Sequence, residues 1–100
     1  MKNLKTTFYV KKDKANQKGE VPVYLRISYE ETEATYFTSY FVNPKRWRET
    51  RCLKLSRIPE EIIIRDNLDL MIDKIFELQK VLPKDDNTLN ADLIKKYIKG

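Results

Sequence analysis

The chain has 100 residues, 41% of them hydrophobic, with 20 Lys/Arg against 15 Asp/Glu and a formal net charge of +5. That is the size of one ordinary domain with a modest core. Histidine is absent, Cys52 is the single cysteine, and glycine occurs only as Gly19 and Gly100. These counts exclude a histidine-activated nucleophile, a histidine metal ligand, an internal disulfide, a cysteine-based metal site and a glycine-rich phosphate loop. A binding module without cofactor, metal or small-molecule substrate is the class that remains favoured over an enzyme. No apolar run approaches the roughly 18–20 residues that span a bilayer, and Met1-Lys2-Asn3-Leu4-Lys5 lacks the apolar stretch of a secretory signal.

Charge is unevenly placed. Residues 1–57 carry 13 Lys/Arg and 6 Asp/Glu, a net of +7, whereas residues 58–100 carry 7 and 9, a net of −2. A basic half joined to a mildly acidic one suits a polyanion-binding face backed by a structural element. A lysine-rich soluble surface is the plainer alternative.

In chain order, residues 6–12 form the first expected strand, with Thr6, Thr7, Phe8, Tyr9 and Val10 favouring extended backbone. Polar residues 13–20 follow, with Asn16 and Gly19 as turn formers. The second strand, 21–30, alternates: Val21, Val23, Leu25, Ile27 and Tyr29 on one face, Pro22, Tyr24, Arg26 and Ser28 on the other. Pro22 lacks an N–H and belongs at a strand start or edge. Glu31-Thr32-Glu33 reads as a turn into a third strand, 34–42. Here Thr35, Phe37, Ser39 and Phe41 alternate with Tyr36, Thr38, Tyr40 and Val42, and both sets are half aromatic, so alternation does not choose the buried face. Short connections predict a three-stranded antiparallel meander.

Asn43-Pro44 predicts a capped helical turn that folds Trp47 onto one end of the core. Residues 48–57 read as a loop anchored by Cys52, Leu53 and Leu55. Pro59-Glu60-Glu61 opens a helix over about 59–82, whose stripe Ile64, Leu68, Met71, Ile75, Leu78 and Leu82 packs on the sheet rather than forming a coiled-coil seam. Pro83 ends it. After a polar link, Asn90 caps a short helix over about 90–99 with Leu93, Ile94, Tyr97 and Ile98 apolar. The fold class is α+β: a three-stranded sheet on one long helix, plus a short C-terminal helix. The end at Gly100 reads as the edge of a domain taken from a longer chain.

The polar face of the first two strands presents Thr7, Tyr9 and Lys11 beside Tyr24, Arg26 and Ser28. A sheet carrying such side chains can enter the DNA major groove. There Arg26 pairs with base edges, lysines hold phosphate and hydroxyls adapt to either. The structural alternative is an ordinary solvated face. Lys11, Lys12, Lys14 and Lys18 form a loop able to follow a phosphate backbone, or simply a soluble hairpin tip. Lys45, Arg46, Arg48 and Arg51 surround Trp47 and are placed to do the same from the other end of the sheet, or are surface charges around a Trp47 that serves packing alone. Tyr9, Tyr24 and Tyr29 have rings that stack on unpaired bases or merely favour strands. The acidic pairs Glu30-Glu31, Glu60-Glu61 and Asp85-Asp86 are explained by solvation and capping.

Three blocks carry a family resemblance: Phe8-Tyr9-Val10-Lys11-Lys12; Lys18-Gly19-Glu20-Val21-Pro22-Val23-Tyr24-Leu25-Arg26-Ile27; and Val42-Asn43-Pro44-Lys45-Arg46-Trp47. Together they resemble the N-terminal arm-type DNA-binding domain of tyrosine recombinases, above all the integrases of Bacteroides-type mobile elements. The likeness covers nearly the whole chain and departs at Thr38-Ser39, where the family often has Thr-Gly. It implies that Tyr36, Tyr40 and Val42 face the core, leaving Phe37 and Phe41 outside. It also implies sequence-specific binding of double-stranded DNA at arm sites in support of integration. Downstream core-binding and catalytic domains of the parent chain would do the cutting, in a bacterial cytoplasm at the nucleoid. The residues expected at DNA are Tyr9, Lys11, Lys12, Lys14, Lys18, Tyr24, Arg26, Ser28, Lys45, Arg46 and Arg48, with none catalytic and none metal-binding. The rivals are a protein-interaction module using Phe37 and Phe41, and an RNA-binding module.

Overall fold

The computed structural model describes residues 4–81 and 91–99. Strands β1 (Leu4–Val10), β2 (Val21–Tyr29) and β3 (Thr32–Val42) form an antiparallel sheet in the order β1-β2-β3. Helices α1 (Pro44–Glu49), α2 (Pro59–Val81) and α3 (Ala91–Lys99) follow. The expected α+β meander is the observed fold. β1 starts and stops two residues earlier than expected, because Lys12–Lys14 closes into a 3₁₀ turn. β3 begins at Thr32, which already pairs with Tyr29, so the turn is Glu30-Glu31 with Glu30 at φ +55°. Leu82, the link after it and the Asn90 cap lie outside the described residues.

The alternation of β2 sorts the two faces. Leu25, Ile27, Tyr29 and Ala34 pack with Ile75 of α2 and Ala91, Ile94 and Ile98 of α3. Val21, Val23 and Val42 pack with Trp47, Leu53 and Leu68. Both helices therefore cover one face of the sheet and leave its other face open. Leu25, Val23 and Ile27 are completely buried, and burying each such side chain contributes about 1.5–3 kcal/mol gross. Tyr29, grouped with the base-stacking tyrosines in the sequence, is only 4% exposed and belongs to this core. Its position in the Val21–Tyr29 alternation is what turns it inward.

The third strand resolves through an irregularity. Tyr24 pairs with Phe37 and Pro22 with Phe41, so Val23 alone lies opposite Thr38, Ser39 and Tyr40. The two extra residues are an even number, which leaves the in–out alternation intact on both sides. Thr38 and Val42 are buried, and Tyr36 and Tyr40 pack against the core. The buried Thr38 hydroxyl donates to the Val23 carbonyl at 2.8 Å, replacing a ladder bond that the bulge displaces. Ser39 sits at φ +71°, a left-handed conformation in which glycine is unstrained. This is the position at which the chain departs from the Thr-Gly pattern.

Helix α1 starts where Asn43 Oδ1 accepts the N–H groups of Lys45 and Arg46 at 2.9 and 3.4 Å. Beyond it, Arg51, Cys52 and Leu53 are all left-handed, with φ of 50°, 63° and 70°. The Cys52 N–H donates to the Trp47 carbonyl and the Leu53 N–H to the Thr50 hydroxyl, and the turn drives Leu53 into the core. Leu55, expected as a third anchor, is instead 61% exposed, because the chain has already turned outward.

Candidate nucleic-acid interface

The open face is assembled by register. Thr7 pairs with Arg26 and Tyr9 with Tyr24 across β1 and β2, and Tyr24 with Phe37 and Arg26 with Thr35 across β2 and β3. The aromatic rings form a chain across all three strands. Tyr9 and Tyr24 stack at 5.9 Å, Tyr24 and Phe37 lie 5.4 Å apart, and Phe37 meets Phe41 edge-on at 5.8 Å. Cations rest on the chain: Lys11 Nζ is 4.0 Å from the Tyr24 ring centroid, and the Arg26 guanidinium carbon is 5.0 Å from that of Tyr9. Such contacts hold long side chains in place on the sheet. Arg26 also meets Glu33, Nε to Oε1 at 3.3 Å, with both side chains more than half exposed.

The lysine loop is built around one side chain. Asn16 Oδ1 accepts from the N–H groups of Lys18 and Glu20, each at 3.0 Å, and Asn16 N–H donates to the Glu20 carbonyl at 2.8 Å. Gly19, at φ +80°, completes the turn. Lys12, Lys14 and Lys18 are exposed on this frame.

Lys45 and Arg48 are exposed on α1. They do not stand at the far end of the sheet, as the sequence suggested. Val10 pairs with Val23 and Val21 with Val42, so the antiparallel register brings the lysine loop and α1 to the same end. The opposite end carries Glu30, Glu31 and Glu33. Charge thus runs from basic to acidic along the strand axis.

Arg46 is engaged elsewhere. Its Nε and Nη2 donate to Glu61 Oε2 and Oε1 at 3.3 and 3.0 Å, and the Ser56 hydroxyl also donates to Glu61. The Arg46 hydrogen bonds, together with that from Ser56, hold the Glu61 carboxyl below the usual carboxylate range against the opposing effect of burial. The same pair raises Arg46. The fork ties α1 to the start of α2.

Sequence reasoning placed Tyr9, Lys11, Tyr24, Arg26 and Ser28 on one face, and they share it. It missed Glu33 as the partner of Arg26; it named Asn16 and Gly19 as turn formers, and Asn16 organises the loop. Asn16 with Gly19 three residues on is a readable turn signal; the Arg26–Glu33 contact needs the register. Among the described residues, no group of three or more Cys, Asp or Glu is placed to hold a metal ion, and no helix is long and apolar enough to cross a membrane.

A family model, the Arm DNA-binding domain, matches residues 8–95. The chain belongs to this family of N-terminal arm-type modules, typical of tyrosine recombinases and integrases, which bind DNA and carry no catalytic centre. No curated protein and no solved structure matches it.

Proposed function

We propose that the domain binds double-stranded DNA sequence-specifically at the arm sites of a tyrosine recombinase, seating the open face of its sheet in the major groove. One observation carries the reading: a basic and aromatic face, spanning all three strands, whose reverse is wholly committed to the core. Arg26 and Tyr24 stand at its centre, with Tyr9, Lys11 and Ser28 beside them, and reach base edges. Lys12, Lys14, Lys18, Lys45 and Arg48 hold phosphates from the basic end. Arg46 is assigned to the scaffold, because Glu61 takes two of its donors. Core-binding and catalytic domains of a parent integrase, in a Bacteroides-type mobile element acting in the bacterial cytoplasm, supply the strand exchange.

A sheet disfavours duplex RNA, whose deep, narrow major groove it does not enter. A protein-contact reading is favoured by the exposed Phe37. Selection from a randomised duplex library, followed by titration of Arg26→Ala and Lys14→Ala, tests the assignment. Arg26→Ala should cost roughly 1–3 kcal/mol on the selected site and blunt discrimination. Lys14→Ala should weaken all duplexes alike. Discrimination left intact by Arg26→Ala would remove Arg26 from base reading.

A further inference from the structure

The open face is chemically lopsided. Its β1 and β2 side presents Lys5, Thr7, Tyr9, Lys11, Tyr24, Arg26 and Ser28, all with polar atoms. Its β3 side presents Glu33 and Thr35 toward the acidic end and, toward the basic end, Phe37 and Phe41, whose side chains have no polar atom. Phe37 is 40% exposed. It is also fixed. In a regular strand, residues four apart lie about 13 Å from one another along the chain. The bulge at Thr38–Tyr40 brings Phe41 in behind Phe37 at 5.8 Å between ring centroids, while Tyr24 holds the other side at 5.4 Å. The ring is buttressed from two directions and keeps its remaining surface open.

We infer that Phe37, buttressed by Phe41, reads the 5-methyl group of thymine in the major groove. The inference rests on the sheet-face reading given above. Base edges in that groove are hydrogen-bond donors and acceptors, with the thymine methyl as the apolar group among them. A phenyl ring pressed on a donor or acceptor strips it of water without replacing the hydrogen bond, which is costly. Against a methyl group it buries apolar surface from both partners. Lys11 and Arg26, held on the neighbouring rings, supply the positive charge that brings this apolar edge to the groove. The face therefore reads in two registers: polar base edges under β1 and β2, and thymine methyls under the Phe37–Phe41 corner of β3.

The test compares duplexes of alternating dA–dT and alternating dA–dU, which differ only in that methyl group. The wild-type domain should bind the dA–dT duplex about fourfold more tightly for each methyl buried, the equivalent of roughly 0.8 kcal/mol. Phe37→Ala should bring the ratio close to one without changing the salt dependence on either duplex, and Phe37→Leu should keep much of the preference. A thermal melt of each variant checks that the fold is retained. Equal wild-type affinity for the two duplexes, or a preference that survives Phe37→Ala, would overturn the inference. So would equal affinity combined with a self-association that Phe37→Ala abolishes, which would give the patch to a protein partner. Failure to bind either duplex would instead overturn the DNA reading on which the inference stands.

Discussion

The hydroxyl of Thr32, at the start of β3, accepts the backbone N–H of Ala91, the first residue of α3, at 2.9 Å. The same hydroxyl donates to the Tyr29 carbonyl at 2.7 Å. A hairpin residue 59 positions away thus satisfies one of the four N–H groups that a helix start leaves unpaired. It also pins α3 to the strand end beside Ala91, Ile94 and Ile98, which complete the core behind the contact face. Thr32→Val should cost about 0.5–2 kcal/mol, the range for losing a cap. It should also speed amide exchange selectively in α3. Thr32→Ser should restore most of both. Urea unfolding with hydrogen exchange reads the difference.

The bulge makes a prediction of opposite sign. Ser39 occupies a left-handed conformation, which costs a residue with a Cβ about 1–2 kcal/mol. Glycine removes that cost but loses more entropy on folding, so Ser39→Gly should stabilise by up to about 1 kcal/mol. Thr38→Val leaves the Val23 carbonyl without its buried donor and should destabilise by about 1–3 kcal/mol. Thermal melts of the two variants should shift in opposite directions.

The Arg46–Glu61 fork gives a pH dependence. Glu61 has a lower pKa in the folded chain than in the unfolded one, held there first by Arg46 and also by Ser56. Unfolding therefore takes up a proton at this group in acid. Its contribution is fully present above the ordinary carboxylate range and is lost as pH falls through the folded-state value. In Glu61→Gln this part of the acid loss should disappear, leaving a less stable protein at neutral pH whose stability varies less in acid. Urea midpoints across that pH range measure it.

Glu33 pairs with Arg26, and on the proposed DNA-facing sheet its carboxylate would repel phosphate. Glu33→Gln should raise affinity for duplex DNA by a factor of about two to five, the range of one exposed charge contact, while barely changing stability. A filter-binding or anisotropy titration at low salt shows it. Weaker binding by the variant would place Glu33 among the DNA contacts.

How much was legible varied by strand. In β2 the alternation named the buried face, because Val21, Val23, Leu25, Ile27 and Tyr29 share one side while Tyr24, Arg26 and Ser28 share the other; Pro22, on that second side, is buried as well. In β3 each side is half aromatic, and the order came from Thr38, whose buried hydroxyl fixes a bulge that composition does not announce. The left-handed run Arg51–Leu53 contains no glycine, so nothing local marks it; burial of Leu53 selects it. The shared end of the lysine loop and α1 follows from the meander itself, because the β1–β2 connection and the end of β3 lie at one end of any such sheet. The Arg46–Glu61 fork joins residues 15 apart across a turn and has no local pattern.

If the sheet face seats on duplex DNA, the lysine loop and α1 at its basic end neutralise phosphates. A titration of the wild-type domain on one duplex at several salt concentrations tests it most directly. With Lys12, Lys14, Lys18, Lys45 and Arg48 each on a phosphate, log affinity should fall against log salt with a slope of about −4 to −5. A slope near zero, or no binding at low salt, would contradict the account.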